Sequence, residues 1–271
     1  IMVEGNDRVI SGIKLSQTLE KVRKDSTIKA VVLRVNSPGG SVSGSEMIHR
    51  EISLLKEVKP VIASYGNYAA SGGYWISAKA DKIFTNKSTL TGSIGVFSLV
   101  PNLSKTMEKH LHLHSVSITT NKHSDALSGM RALDNAEIAY MQRAVDKIYN
   151  DFTAIVSEGR NMTTEQVDMI GQGRVWAGSD ALNIGLADME GGLVDAISYA
   201  AEMAGLSQYR LVEYPQVKTT LEKLMESLSK TGADISTLAD PFAYIERSYA
   251  RLKEETGIVN YARLPIVYDI R

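Results

Sequence analysis

One serine of this chain stands in a local sequence suited to nucleophilic catalysis. Ser71 belongs to the segment Ala-Ala-Ser-Gly-Gly-Tyr-Trp, which spans residues 69–75 and joins a β-like run to a helix-like run. At such a junction the first helical N–H groups have no intrahelical partner, so they favour developing negative charge. Gly72 leaves its backbone uncovered, and a substrate carbonyl can come close to its N–H. The same pattern is also typical of a tight turn with an N-cap serine, and both interpretations stay open at this point.

A nucleophilic serine needs a group that takes its proton. The base could be a histidine, a lysine kept neutral by burial, or a carboxylate. None of the five histidines stands in a recognisable triad context. Lys122 and His123 lie in the aperiodic segment 120–131, which we expect to be a surface loop over a site. Lys122 is therefore the base to test if the catalytic pair is local, although most lysines are solvated surface charges.

The elements around these residues follow a repeating order. A buried, β-branched run over residues 28–35 ends in a turn with Gly39 and Gly40, and a helix over 43–56 follows. A second strand over 61–65 leads to Ser71 and the next helix. This order predicts an α/β fold of repeated right-handed βαβ units with a mostly parallel sheet. Functional loops of such sheets gather at the carboxyl ends of the strands, so both glycine turns should be neighbours.

The remainder of the chain becomes mainly helical after residue 134 and is divided by a linker near residue 215. Residues 115–119 alternate and predict a strand, and Asp134 with Glu137 predicts a capping box at the start of a long helix. A linker near Pro215 predicts two parts, an α/β domain over residues 1–214 and a helical extension over 215–271. The first residues, Ile-Met-Val-Glu-Gly, are typical of a strand entering a turn, so we expect an internal fragment of a longer polypeptide.

The composition excludes several classes of protein. A formal net charge of −1 over 271 residues gives no general attraction to nucleic acid. The absence of cysteine excludes disulfides and thiol catalysis. His110, His112 and His114 alternate, but the segment lacks the further ligands of a zinc site, so we predict no metal and no cofactor. No apolar run approaches the length of about 18 residues that a spanning helix needs.

Four segments together carry a resemblance to a known family. Residues 32–40 read Val-Leu-Arg-Val-Asn-Ser-Pro-Gly-Gly, and the Ser71 segment follows. Residues 89–95 read Thr-Leu-Thr-Gly-Ser-Ile-Gly, and residues 173–178 read Gly-Arg-Val-Trp-Ala-Gly. In this order and spacing, the chain over residues 1–214 resembles the signal peptide peptidase A family of serine–lysine peptidases. The resemblance implies the fold of the Clp protease and crotonase superfamily.

The resemblance also implies roles for individual residues. Ser71 would be the nucleophile, and Ser93 would orient the lysine amine. The backbone N–H groups of Gly40 and Gly72 would form the oxyanion hole, with Gly39 shaping the turn. Taken by itself, Ser93 is typical of a turn serine that bonds its own loop. The substrates would be signal peptides or other extended, apolar peptides.

The resemblance fails at the expected position of the base. Short members of the family carry a lysine in a pattern like His-Lys-Asp after the strand equivalent to 115–119, whereas this chain reads His123-Ser124-Asp125. Long members are tandem duplications in which the amino-terminal half provides the lysine. The resemblance therefore implies that this chain is the serine-bearing carboxyl-terminal half of a long member, with its lysine on a missing half. It further implies a homo-oligomer at the bacterial inner membrane, facing the periplasm, with the anchor outside this chain.

Two other classes of function remain open on the sequence. A crotonase-type acyl-CoA hydratase or isomerase shares the fold and the two-donor oxyanion hole but needs no nucleophilic serine. A non-enzymatic platform for substrate binding and assembly would also fit a half that lacks its base.

Overall fold

The computed structural model describes residues 1–5 and 9–215, which fall in one compact unit, Ile1–Pro215. Apart from Pro215, the predicted helical extension over 215–271 lies outside the described residues. The helices are α1 (Gly12–Lys24), α2 (Val42–Lys56), α3 (Gly72–Trp75), α4 (Ser104–Leu111), α5 (Asn135–Arg160), α6 (Thr164–Ile170), α7 (Gly178–Asn183) and α8 (Leu193–Met203). The strands are β1 (Val31–Ser37), β2 (Val61–Ala70), β3 (Lys82–Thr85), β4 (Leu90–Gly92), β5 (Val175–Ala177) and β6 (Met189–Glu190).

Strand β2 lies at the centre of the sheet. It pairs in parallel with β1 along one edge, and its other edge pairs with β3 near its start and with β4 near its end. β6 extends the sheet in parallel beyond β3, and β5 pairs antiparallel with β4. The predicted α/β fold with a mostly parallel sheet is therefore confirmed.

Helices cover both faces of this sheet. Val61, Ala63 and Tyr65 point into the large core, which contains buried residues of α1, α2, α3 and α5. Ile62, on the opposite face of the same strand, packs in a smaller cluster with Ala196 and Ala200 of α8. Because both faces are buried, the strands read as nearly continuous apolar runs rather than alternating ones.

Side chains at the helix starts explain why several helices begin where they do. The Ser41 hydroxyl accepts from the Gly44 N–H at 3.4 Å at the start of α2. At α5 the predicted capping box forms, since Asp134 accepts from the Glu137 N–H and Glu137 accepts from the Asp134 N–H, both at 2.8 Å. Each cap satisfies backbone donors that the helix itself leaves unpaired.

Three local expectations differ from the structure. β2 extends to Ala70, because Ala69 pairs with both Ser37 and Thr91 instead of starting the turn. The helix after Ser71, α3, has only one turn. Negative charge at its start would therefore be stabilised by individual N–H groups more than by a helix dipole. Residues 115–119 form neither a strand nor a helix, and their side chains are exposed. Alternation predicts a strand, but a strand also needs a pairing partner.

Candidate active site

Ser71 occupies a constrained backbone position at the carboxyl end of β2. Its φ is +52°, a value that few residues other than glycine adopt. Its N–H donates to the Gly92 carbonyl at 2.9 Å, and its own carbonyl accepts from the Trp75 N–H at 2.9 Å. Backbone strain of this kind persists only where surrounding contacts hold it, and it occurs often at functional sites. The sheet and α3 thus fix the direction of the Ser71 side chain.

The two glycine turns meet at this end of the sheet, as the sequence predicts. A Cβ added to Gly72 would lie 3.2 Å from the Gly40 nitrogen, and one added to Gly39 would lie 2.8 Å from the Gly72 nitrogen. Gly39 and Gly40 adopt φ of +112° and +150°, which side chains disfavour. Within residues 1–5 and 9–215, neither the Gly40 N–H nor the Gly72 N–H donates to a protein acceptor. Two backbone donors beside Ser71 are therefore free for a ligand.

A pocket of about 100 Å³ opens between these turns and the adjoining helices. Ser71 and the two turns form its polar side, and apolar side chains form most of the rest. Trp75 and Phe152 contribute one wall, with ring centroids 4.6 Å apart. The residues that line the pocket are Gly40, Val42, Ser45, Ser71, Gly72, Trp75, Gly95, Val96, Phe97 and Phe152. The arrangement can accept an apolar side chain next to a carbonyl that faces Ser71.

Ser93 follows β4 as Ser71 follows β2. The pairing of Ala70 with Gly92 brings the two serines to the same edge of the sheet. Ser93 has φ of +46°, and its N–H donates to the Arg174 carbonyl at 2.7 Å. Its hydroxyl donates a long bond of 3.4 Å to the Gly173 carbonyl, so it is loosely engaged. A second hydroxyl beside the pocket can thus change partners at little cost.

The turn that holds Ser93 is supported by a group of polar side chains. Tyr149 of α5 donates from its hydroxyl to the Asp168 carboxylate at 2.6 Å and accepts from the Gln172 N–H at 3.1 Å. The Tyr149 hydroxyl and the Gln172 side-chain amide both donate to Asp168 and hold its pKa below the ordinary value. Burial and the bond to Asp168 raise the pKa of Tyr149, so its hydroxyl keeps its proton. These contacts link α5 and α6 to the turn before Arg174.

Lys122 lies in an exposed loop, and it is not among the residues that line the pocket. Within the described residues, its ammonium forms no hydrogen bond with Ser71 or Ser93. Its neighbour His123 contacts Glu137 at 2.9 Å, while the Arg131 guanidinium donates to Glu137 and Asp125.

This loop cluster also offers a group of metal-type ligands. His123, Asp134 and Glu137 bring ligand atoms within 4.8 Å of one another. Arg131, the Asp134 N–H and His123 hold the pKa of Glu137 well below its ordinary range. The Arg131 guanidinium also donates to this carboxylate at 2.6 Å, and we call the resulting ion-pair network of Arg131, Glu137 and His123 the loop clamp.

The sequence predicts Ser71, Ser93 and the glycines as site residues, and the structure places Trp75 and Phe152 on the pocket wall and Tyr149 at the turn before Arg174 as well. Trp75 stands inside the Ser71 motif, so its position was visible but its role was not. Phe152 belongs to the apolar stripe of α5, which predicts burial without indicating what it packs against.

None of the helices in residues 1–5 and 9–215 combines the length and apolar character needed to cross a membrane.

Comparisons with known proteins agree with these features. Residues 53–207 match the sequence profile of peptidase family S49. The chain is 40% identical over 221 residues to Protease 4 of Salmonella typhi, covering 81% of this chain and 35% of that protein. It is 34% identical over 253 residues to the chloroplastic serine protease SPPA of Arabidopsis thaliana, covering 89% of this chain and 37% of that protein. The chain therefore spans about a third of the length of these curated relatives.

Among solved structures, a ClpP1 mutant from Listeria monocytogenes matches with a TM-score of 0.47 and 15% identity. The match covers 69% of this chain and 86% of that chain. At this level it carries no conclusion about activity or assembly.

Proposed function

The chain belongs to peptidase family S49, and we propose that it carries the nucleophile of a serine endopeptidase that cleaves extended, apolar peptides. The proposal rests on one observation above all, the meeting of Ser71 with two unengaged backbone donors at an apolar pocket. Membership in a peptidase family favours this reaction over an acyl-CoA hydratase, which would leave the strained Ser71 without a use.

In the proposed reaction, Ser71 Oγ attacks the carbonyl carbon of the scissile peptide bond. The carbonyl oxygen becomes an oxyanion, and the N–H groups of Gly40 and Gly72 donate to it. The hydroxyl proton passes to a neutral amine and then to the leaving nitrogen, which departs and leaves an acyl-enzyme. Water attacks the ester in the second half-reaction, and the same amine accepts its proton and passes it to Ser71 Oγ as the acyl–oxygen bond breaks and the carboxylic acid product leaves.

We assign the amine to a lysine that Ser93 orients. The Ser93 hydroxyl holds only a long bond in the present state, which supports its exchange for a lysine partner. We propose that this lysine belongs to an amino-terminal half of the same polypeptide, since Ser124 replaces the lysine that short family members carry. The exposure of Lys122 supports this choice over a local base.

The substrate class follows from the lining of the pocket. Apolar side chains of Val42, Val96 and Phe152 favour an apolar residue on the acyl side of the bond. Residues 93–100 form no helix or strand, so their backbone groups can pair with an extended peptide. Cleaved signal peptides are extended and apolar, and we propose them as substrates.

Location and assembly belong to the same proposal. A bacterial inner-membrane site facing the periplasm would bring the enzyme to signal peptides, and the anchor would lie outside this chain. A homo-oligomer would enclose the sites. Cell fractionation tests the location, and light scattering on the purified protein tests the assembly.

Fluorophosphonate labelling of the full-length protein tests the role of Ser71. We expect Ser71→Ala to abolish labelling, because the probe forms its bond with the activated hydroxyl. Ser198→Ala is the matched control, since Ser198 is an exposed serine of α8. Labelling that survives in Ser71→Ala would refute the assignment.

The source of the lysine needs a separate experiment on this 271-residue chain alone. We expect the chain to leave a fluorogenic peptide uncleaved and to gain activity when the amino-terminal half is supplied. Lys122→Ala is compared with Lys109→Ala, which changes another exposed lysine in α4. Hydrolysis by the chain alone that is lost only in Lys122→Ala would show a local base and overturn the two-half account.

A further inference from the structure

The indole of Trp75 forms a buried part of the pocket wall. Trp75 is 4% exposed and Phe152 is 1% exposed, and their rings meet at an interplanar angle of 38°. The Trp75 backbone N–H donates to the Ser71 carbonyl at 2.9 Å. Trp75 therefore has its ring in the pocket wall and its backbone in the single helical turn that follows Ser71.

The indole has one polar atom, Nε1, and one carboxylate accepts its hydrogen bond. Trp75 Nε1 donates to Glu46 Oε2 at 2.9 Å. Glu46 follows the pocket residue Ser45 in α2, while its own side chain is half exposed and lies outside the pocket. A buried N–H that loses its acceptor is costly, so the carboxylate selects the ring orientation that keeps this bond.

Neighbouring groups keep Glu46 in its charged form. His49 Nδ1 lies 3.3 Å from the same carboxylate oxygen. The close approach of His49, together with the Trp75 N–H, holds the pKa of Glu46 below its ordinary value although burial opposes this. A hydrogen bond to a charged acceptor is stronger than one to a neutral acceptor, which makes Glu46 an effective anchor.

We propose that Glu46 is a positioning residue, which fixes the Trp75 indole and thereby sets the size of the apolar side chain that the pocket accepts beside Ser71. The proposal rests on the peptidase function proposed above. It assigns Glu46 no contact with the substrate, since the carboxylate acts only through the indole. Loss of the anchor should therefore change substrate binding and selectivity more than the chemical step.

Peptidyl phosphonates that end in alanine or leucine test selectivity on the full-length protein. We expect Glu46→Ala to reduce the preference for leucine about three- to tenfold, mainly through weaker binding, with the limiting labelling rate nearly unchanged. Glu46→Gln keeps an acceptor oxygen and should stay within about twofold of the wild type. Glu57→Ala removes an exposed carboxylate at the end of the same helix and should behave like the wild type.

A second readout follows the indole directly. In protein labelled with 5-fluorotryptophan, the ¹⁹F signal of Trp75 is assigned by its loss in Trp75→Phe. We expect Glu46→Ala to shift or broaden this signal, and Glu46→Gln and Glu57→Ala to retain it. If Glu46→Ala fails to fold, Glu46→Leu supplies the lost volume without an acceptor.

The outcomes separate this inference from the proposed function. A wild-type protein that reacts with neither phosphonate refutes the peptidase proposal, and the ¹⁹F signal then still decides whether Glu46 positions Trp75. A Trp75 signal and a leucine preference that both survive Glu46→Ala would overturn the positioning role.

Discussion

The polypeptide around Ser71 is buried and held from several sides, whereas the segment 96–131 is mostly exposed. Ala69 is fully buried between two paired strands, while Phe97 and Ile118 are 90% and 96% exposed. The proposed nucleophile and the proposed oxyanion donors belong to the first region, and Lys122 belongs to the second. The groups proposed to meet the substrate carbonyl are thus held by buried contacts, whereas most described side chains of the exposed segment face solvent.

Glycine substitutions should show the largest difference between the two regions. A Cβ at Gly40 would lie 1.9 Å from the Ile1 carbonyl oxygen at φ of +150°, whereas one at Gly129 in the exposed segment meets only Pro101 O at 3.3 Å. We expect Gly40→Ala to lower the free energy of unfolding by about 3 kcal/mol or more and to abolish labelling of Ser71. Gly129→Ala should cost about 1 kcal/mol, from its positive φ alone.

Denaturant unfolding and fluorophosphonate labelling measure both glycine variants side by side. Equal losses of stability would contradict the distinction between a packed site and a loosely held segment.

Removing contacts that support the turn beside Ser93 should have an effect of intermediate size on stability and on the labelling rate. Tyr149→Phe removes the bond to Asp168 and the acceptor for the Gln172 N–H. We expect about 1 kcal/mol of lost stability and a labelling rate reduced about threefold to tenfold, because the turn beside Ser93 loosens. Tyr140→Phe changes an exposed tyrosine of the same helix and is the control.

The labelling rate shows whether the Tyr149 contacts affect the reactivity of Ser71 or only the stability of the fold. A stability loss without any change in rate would separate Ser93 from the Ser71 region and weaken its assigned role.

Acid should produce the smallest effect, and it should loosen residues 121–131 more than β2. The pKa of Glu137 is lowered in the folded protein by Arg131, the Asp134 N–H and His123, and that of Asp125 is lowered chiefly by Arg131. Their contribution to stability is therefore present above the unfolded pKa values of about 4 and is lost as the pH falls toward the folded values. We expect amides of residues 121–131 to exchange faster at pH 3 than at pH 6, relative to those of β2.

Hydrogen exchange resolved by residue measures this difference, after correction for the intrinsic rates at each pH. Glu137→Gln should weaken the clamp and reduce its pH dependence. Parallel changes in β2 and the loop would mean that the two regions do not respond independently.

Much of the site was predictable because its signals are local. The two glycine turns after apolar runs predict strand, turn and helix, and parallel topology predicts that the turns meet. The positions of Ser71, Gly40 and Gly72 at one edge follow from this reasoning. The strand predicted from the alternation of residues 115–119 is wrong, because alternation describes which side chains share a face and does not supply a pairing strand.

The sequence by itself determined the order of the βαβ units, the family and the residues whose chemistry is concentrated in short motifs. Tertiary structure alone decided that β2 continues to Ala70, that Phe152 meets Trp75, and that Glu46 anchors the indole. These contacts join residues far apart in the chain, and a local pattern records that a side chain is buried or polar without recording its partner. The orientation of a pocket wall depends on such partners, so it emerges only when helices from separate units pack on the same face of the sheet.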